Sequence, residues 1–224
     1  MFRARNALRV FARRTAEAGA AVDEGVAVIS VIDYGAGNLR SVENTLDAIG
    51  VEHTLIRDAA GVRSARKIVL PGVGHFGQMM RALDQLDLRG VLKERIAEGV
   101  PFFGICLGLQ ALFSCSDEAP EQTGLGIFPG VVKKFGGDRR VPHMGWNSLR
   151  RRRDSRLLEG LPEEPYAYFA NSFHAPLVDA ASATCNYGIE FTAVIEYRNI
   201  FAVQFHPEKS GPVGLQIVRA FVCS

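Results

Sequence analysis

Val26-Ala27-Val28-Ile29-Ser30-Val31-Ile32 is a near-continuous β-branched run, and it stops abruptly at Asp33-Tyr34-Gly35-Ala36-Gly37-Asn38. Such a run reads as a strand buried on both faces, as in a parallel sheet. The glycine-rich cluster reads as the turn that leaves it, with Asn38 as the N-cap of a helix. Leu39, Val42, Leu46 and Ile49 then recur at helical spacing, and Gly50 closes that helix.

The same rhythm continues outward. Residues 52–57 and 67–70 read as strands, the latter running into Pro71-Gly72-Val73-Gly74; residues 79–88 and 91–98 read as helices. Residues 101–105 form another buried strand, followed at once by Cys106 and a helix. The spacing predicts an α/β fold: a single-domain, open, mostly parallel or mixed sheet with helices on both faces. The second half is richer in strands, at 127–135, 166–171, 191–197 and 200–205, with Arg198-Asn199 as a hairpin turn and a closing helix over 213–222. No linker divides residues 26–224. Residues 1–25 stand apart as an arginine-rich arm, and the expectation is that it is disordered or dispensable.

Composition narrows the classes. Hydrophobic residues make up 47% of the 224, and Lys plus Arg exceed Asp plus Glu by 26 to 24, a net charge of only +2. That balance gives no basis for nucleic-acid binding. The longest apolar stretch, 100–113, contains Gln110 and is too short to span a bilayer. Cys106, Cys115, Cys185 and Cys223 have neither disulfide-framework nor zinc-finger spacing, which fits reduced thiols in the cytoplasm. The basic run Arg150–Arg153 reads first as a solvated loop, with an anionic-ligand patch as the alternative.

Chemistry concentrates at Gly104-Ile105-Cys106-Leu107-Gly108, a cysteine between two glycines at a strand-to-helix junction. This is the thiol version of a nucleophile elbow, in which a tight turn lifts the side chain above the sheet and requires small neighbours. The helix start brings N–H groups and a positive dipole end toward the sulfur, and the Leu107 N–H can donate to an oxyanion. A base is supplied by Gln204-Phe205-His206-Pro207-Glu208. Two-residue spacing on an extended segment points His206 and Glu208 the same way, His206 as proton carrier and Glu208 as its orienting carboxylate. The bare backbone of Pro71-Gly72-Val73-Gly74 reads as a second oxyanion donor, at Val73 and Gly74. Val73 lies between residues without a Cβ and can turn its peptide at low cost.

These residues carry a resemblance. Gly-Ile-Cys-Leu-Gly-Leu-Gln (104–110), Phe-His-Pro-Glu (205–208) and the Pro-Gly-Val-Gly loop resemble the class I (triad) glutamine amidotransferases, a flavodoxin-like fold. The string from Ile32 to Val42, Pro142-His143-Met144-Gly145-Trp146-Asn147 and His206-Pro207-Glu208-Lys209-Ser210 are similar to those of the family of glutaminase subunits of imidazole glycerol phosphate synthases. The resemblance implies a Cys106-His206-Glu208 triad that releases ammonia from glutamine for a (β/α)8-barrel cyclase partner in a heterodimer, with no metal or organic cofactor. It implies that Gln110 and the Ser172-Phe173 backbone hold the glutamine headgroup, and that His143, Trp146, Asn147 and Lys209 lie toward the partner. A glutaminase serving another synthase, a stand-alone cysteine hydrolase and a catalytically dead binding subunit are the alternatives.

Overall fold

A computed structural model describes residues 28–35 and 38–224. The arm assigned to residues 1–25, with Val26 and Ala27 of the expected first strand, lies outside the described residues. Strand β1 (Ile29–Ile32) is buried throughout and is followed by α1 (Leu39–Ala48), β2 (His53–Ile56), α2 (Ala59–Ser64) and β3 (Lys67–Gly72). Next come α3 (Phe76–Gln85), α4 (Leu88–Ala97), β4 (Phe102–Cys106) and the single helical turn α5 (Leu107–Gln110). Strands β5 (Phe113–Ser116), β6 (Phe128–Lys134), β7 (His143–Ser148), β8 (Arg150–Arg151), β9 (Tyr166–Asn171), β10 (Phe173–His174), β11 (Ala181–Asn186), β12 (Glu190–Tyr197) and β13 (Ile200–Val203) precede the closing helix α6 (Gly211–Val222).

The main sheet has the order β2-β1-β3-β4-β13-β12-β11-β8. Its first five strands are parallel, and β12, β11 and β8 add antiparallel at the far edge. Because β1 lies between β2 and β3, successive crossovers leave in opposite directions, and a crevice opens at the carboxyl ends of the strands. One face is closed by α2, α3 and α4 through Val62, Met80, Leu83, Leu92 and Ile96. The other is closed by α1 and α6 through Val42, Leu46, Ile217 and Phe221, with Phe103 stacked on Phe221 at 5.0 Å. Strand β10 joins β6 and β5 in a small separate sheet, while β7 and β9 form an antiparallel ribbon.

Several details differ from the sequence reading. Helix α2 was not expected; it has only Val62 buried and carries Gly61, so its apolar stripe is too thin to read. The helix after Cys106 is one turn, not a full element. The basic run is solvated as expected at Arg150, Arg152 and Arg153, but two of its side chains also brace neighbouring main chain. Arg151 donates to the carbonyls of Leu158, Leu161 and Pro162, and Arg153 to those of Asp179, Ala180 and Glu196. Lys67 similarly holds the end of α6, its Nζ 2.5 Å from Val222 O and 2.6 Å from Ser224 O.

Candidate active site

The ends of β3, β4 and β13 meet around a cavity of about 300 Å³ lined by Val73, Gly74, Cys106, Leu107, Gln110, Glu118, Ser172, Phe173, His206 and Lys209, among others. Cys106 sits at φ 54, ψ −105, a conformation that L-residues rarely adopt and that marks a functional turn. Its neighbours explain why the elbow is glycine-rich. A Cβ on Gly104 would stand 2.7 Å from Gly108 O, and one on Gly108 would stand 2.0 Å from Leu70 O. A Cβ on Gly72 would meet Leu107 Cβ at 2.6 Å, so the two loops interlock.

Because α5 is only one turn, a macrodipole contributes little here. What matters is that the first amides of any helical turn, Leu107 N–H among them, have no partner inside the helix. Leu107 lines the same cavity as Val73 and Gly74 on the neighbouring loop. Tyr34 lies beneath that loop, 9% exposed, with no hydrogen-bond partner of good geometry for its hydroxyl. Burial drives its pKa far up, against the pull of the Val73 backbone N–H.

His206 and Glu208 come together by a different route from the one expected. Strand β13 ends at Val203, and residues Pro207–Lys209 form a 3₁₀ turn. His206 is extended (φ −100, ψ 98), as a residue before proline should be, and the turn swings Glu208 back beneath it. His206 Nδ1 lies 2.8 Å from Glu208 Oε1, with both side chains under 5% exposed. Burial works against the imidazolium, but hydrogen bonding and charge from Cys106 and Glu208 override it and push the His206 pKa up to about 10. The imidazole is thereby a proton donor next to Cys106.

Gln110 is 3% exposed and donates to Phe173 O (2.9 Å) and to Gln204 Oε1 (3.0 Å). Gln204, not singled out from the sequence, is fully buried and directs Nε2 to Cys106 Sγ at 3.7 Å. Its signal was an amide at the end of the apolar run Ile200-Phe201-Ala202-Val203, where a polar group persists only with partners. Glu118 was also missed; it lines the cavity and accepts from Phe76 N–H at 2.7 Å. Ser172 and Phe173 stand on the wall as expected.

The residues expected to face a partner divide. Trp146 is 55% exposed, and Met144 and Tyr166, not anticipated, are 66% and 57% exposed on the same face of the β7–β9 ribbon. Lys209 lies at the cavity with Nζ 5.9 Å from the ring of Tyr168. His143 does not belong to that face. It is 3% exposed, stacked on Tyr187 (4.0 Å) and Phe169 (4.8 Å), and burial drives its pKa down to about 4. Asn147 points inward to His143 Nε2 and to Asn186 O, so it braces the ribbon. Among the described residues no three of His, Cys, Asp or Glu converge as a metal-holding group, and no helix is long and apolar enough to cross a membrane.

Comparison with known proteins adds kinship. The family model described as glutamine amidotransferase class-I matches residues 30–223. "Imidazole glycerol phosphate synthase subunit HisH" of Methanothermobacter thermautotrophicus is 48% identical over 196 residues, covering 87% of this chain and 98% of that protein. The protein of the same name from Chlorobium luteolum is 43% identical over 198 residues, covering 87% and 98%. A solved structure described as "Crystal structure of glutamine amidotransferase" superposes with a TM-score of 0.69 at 21% identity, covering 88% of this chain and 97% of that one.

Proposed function

Because this chain belongs to the class-I glutamine amidotransferase family, we propose that it is the cytoplasmic glutaminase subunit of an imidazole glycerol phosphate synthase. The observation that carries the chemistry is a cysteine elbow and a buried His206–Glu208 pair opening on one cavity. Cys106, its proton already passed to His206, attacks the carboxamide carbon of glutamine as the thiolate, and the C=O electron pair moves onto oxygen. Leu107 N–H and the Val73 amide are the donors available to that oxyanion. His206 hands its proton to the departing nitrogen, the C–N bond breaks, and ammonia leaves a γ-glutamyl thioester on Cys106. Now neutral, His206 takes a proton from water, which attacks the thioester and releases glutamate. Glu208 fixes the imidazole and supports its charge.

Binding follows from the same wall. Glu118, held by Phe76 N–H, suits the α-ammonium of glutamine, while Gln110 and the Ser172-Phe173 backbone border the headgroup. Ammonia then passes to a (β/α)8-barrel cyclase, where it reacts with a phosphoribulosyl formimino-carboxamide ribonucleotide to give imidazole glycerol phosphate and an aminoimidazole carboxamide ribotide. The exposed apolar face of Met144, Trp146 and Tyr166 favours a subunit over a stand-alone hydrolase. It shares strand β9 with the cavity-lining Ala170, so a partner seated there would lie beside the cavity in which ammonia is released. The test is Cys106→Ala in the cyclase complex: glutamine-dependent synthesis should vanish while ammonium-dependent synthesis persists. Glutamine hydrolysis that does not rise on adding the cyclase would return the reading to a stand-alone hydrolase.

A further inference from the structure

The string Ile32 to Val42 has no part in the triad chemistry above, yet one of its side chains reaches it. Asp33 fixes the turn, accepting from Gly35 N–H at 3.0 Å and from Arg57 Nε at 2.7 Å. Asn38 follows at the N-cap position of α1 in the left-handed conformation (φ 75, ψ 8), which asparagine tolerates better than most residues. An N-cap side chain normally accepts from the first-turn amides. Asn38 does not. Its Oδ1 accepts from Ser41 Oγ at 2.6 Å, and its Nδ2 donates to Glu208 Oε1 at 2.9 Å, across 170 positions of sequence.

The orientation of that amide is settled by chemistry. An ionised carboxylate can only accept, so the end facing Glu208 must be the NH₂ group. Glu208 needs the donor. Its side chain is 2% exposed, Oε1 receives both His206 Nδ1 and Asn38 Nδ2, and Oε2 is buried with no partner. Around it stand Val42, Leu46, Val69, Phe103, Ile105 and Val218, which offer a carboxylate nothing, and Thr45, whose hydroxyl donates instead to Ser41 O at 2.9 Å. A buried carboxylate left with one hydrogen bond is costly, and it relieves the cost by turning away from its place.

We propose that Asn38, locked by Ser41, is a positioning residue of the triad that holds the Glu208 carboxylate aimed at His206. The proposal rests on the Cys106-His206-Glu208 reading. Asn38 does not line the glutamine cavity, so its removal should lower kcat and leave KM nearly alone.

The test uses the full chain in its cyclase complex. Asn38→Gly and Asn38→Asp both suit a left-handed residue, so neither adds backbone strain. Asn38→Gly should lower kcat for glutamine hydrolysis by about ten- to a hundredfold, in the range of other supporting-shell losses, with KM within about threefold. Asn38→Asp, which sets a second carboxyl against Glu208, should be lower still. The alkaline limb of kcat should move to lower pH by about one unit in Asn38→Gly, because the imidazolium loses support. Ser41→Ala should show a smaller loss and Ser41→Thr, which keeps the hydroxyl, should restore it. In a Glu208→Gln background Asn38→Gly should cost almost nothing more, since it acts through Glu208. Unchanged kcat and pH profile, or a loss that simply adds to that of Glu208→Gln, would overturn the proposal. Cys106→Ala assayed alongside separates the cases: retained glutaminase activity there would bring down the triad reading itself, whatever Asn38 does.

Discussion

Gln204 Nε2 points at Cys106 Sγ from 3.7 Å while its Oε1 accepts from Gln110, so Cys106 is tied by two amides to Phe173 O on the far wall. A donor beside the sulfur supports the charge it carries during attack. Gln204→Leu should therefore slow alkylation of Cys106 by iodoacetamide and lower kcat about tenfold, with a loss of about 1 kcal/mol in stability because the buried Gln110 amide keeps only Phe173 O. Alkylation at the wild-type rate would show that the contact does not tune the thiol.

His206 gives a pH signature. Its folded pKa of about 10 lies above its ordinary 6.5, so the folded state holds the proton more tightly. The stabilisation is complete below about pH 6.5 and is lost as pH rises through about 10. Urea melts of wild type and His206→Gln should converge across that window. A constant gap would contradict it.

His143 has the opposite sign. With its pKa driven down to about 4, the neutral ring is stable in its aromatic stack above pH 6.5, and stability is lost as pH falls from there toward 4. His143→Phe should flatten that acid slope, measured by thermal melts at stepped pH.

The ribbon face can be tested by binding. Trp146→Ala should weaken cyclase affinity by at least about 2 kcal/mol, the size expected of a buried aromatic anchor, while the isolated chain keeps its melting temperature. Unchanged affinity by calorimetry would move the interface elsewhere.

Coupling is the fifth prediction. The Val73 peptide lies between residues without a Cβ and over the buried Tyr34 hydroxyl, so it can present its N–H to the cavity or withhold it. Glutaminase turnover of the chain alone should be low and should rise about 10²–10³-fold with cyclase plus nucleotide ligand, the worth of one oxyanion donor. A change under about threefold would reject the switch.

The parallel half of the fold was legible because its strands are buried on both faces and say so in β-branched residues. The ribbon was not. In His143-Met144-Gly145-Trp146-Asn147-Ser148 the exposed side carries Met and Trp, while the buried side carries His143. The pattern is inverted, so alternation gives the wrong inward face. His206 and Glu208 were paired through a two-residue spacing read as a strand's, whereas a 3₁₀ turn brings them together. The Asn38–Glu208 contact was out of reach, since nothing local in either segment encodes the other.

The interlock of the two loops bears on how this enzyme can vary through descent. A methyl on Gly108 strikes the Leu70 carbonyl at 2.0 Å, and one on Gly104 strikes the Gly108 carbonyl at 2.7 Å. Main-chain atoms are common to every amino acid, so trimming a neighbouring side chain cannot restore the space. Only a shift of the main chain itself would, which makes these positions costly ones for any lineage to change. Diversified libraries gain nothing from sampling them, and variation in substrate handling has to come through cavity-wall side chains such as Glu118 or Ser172.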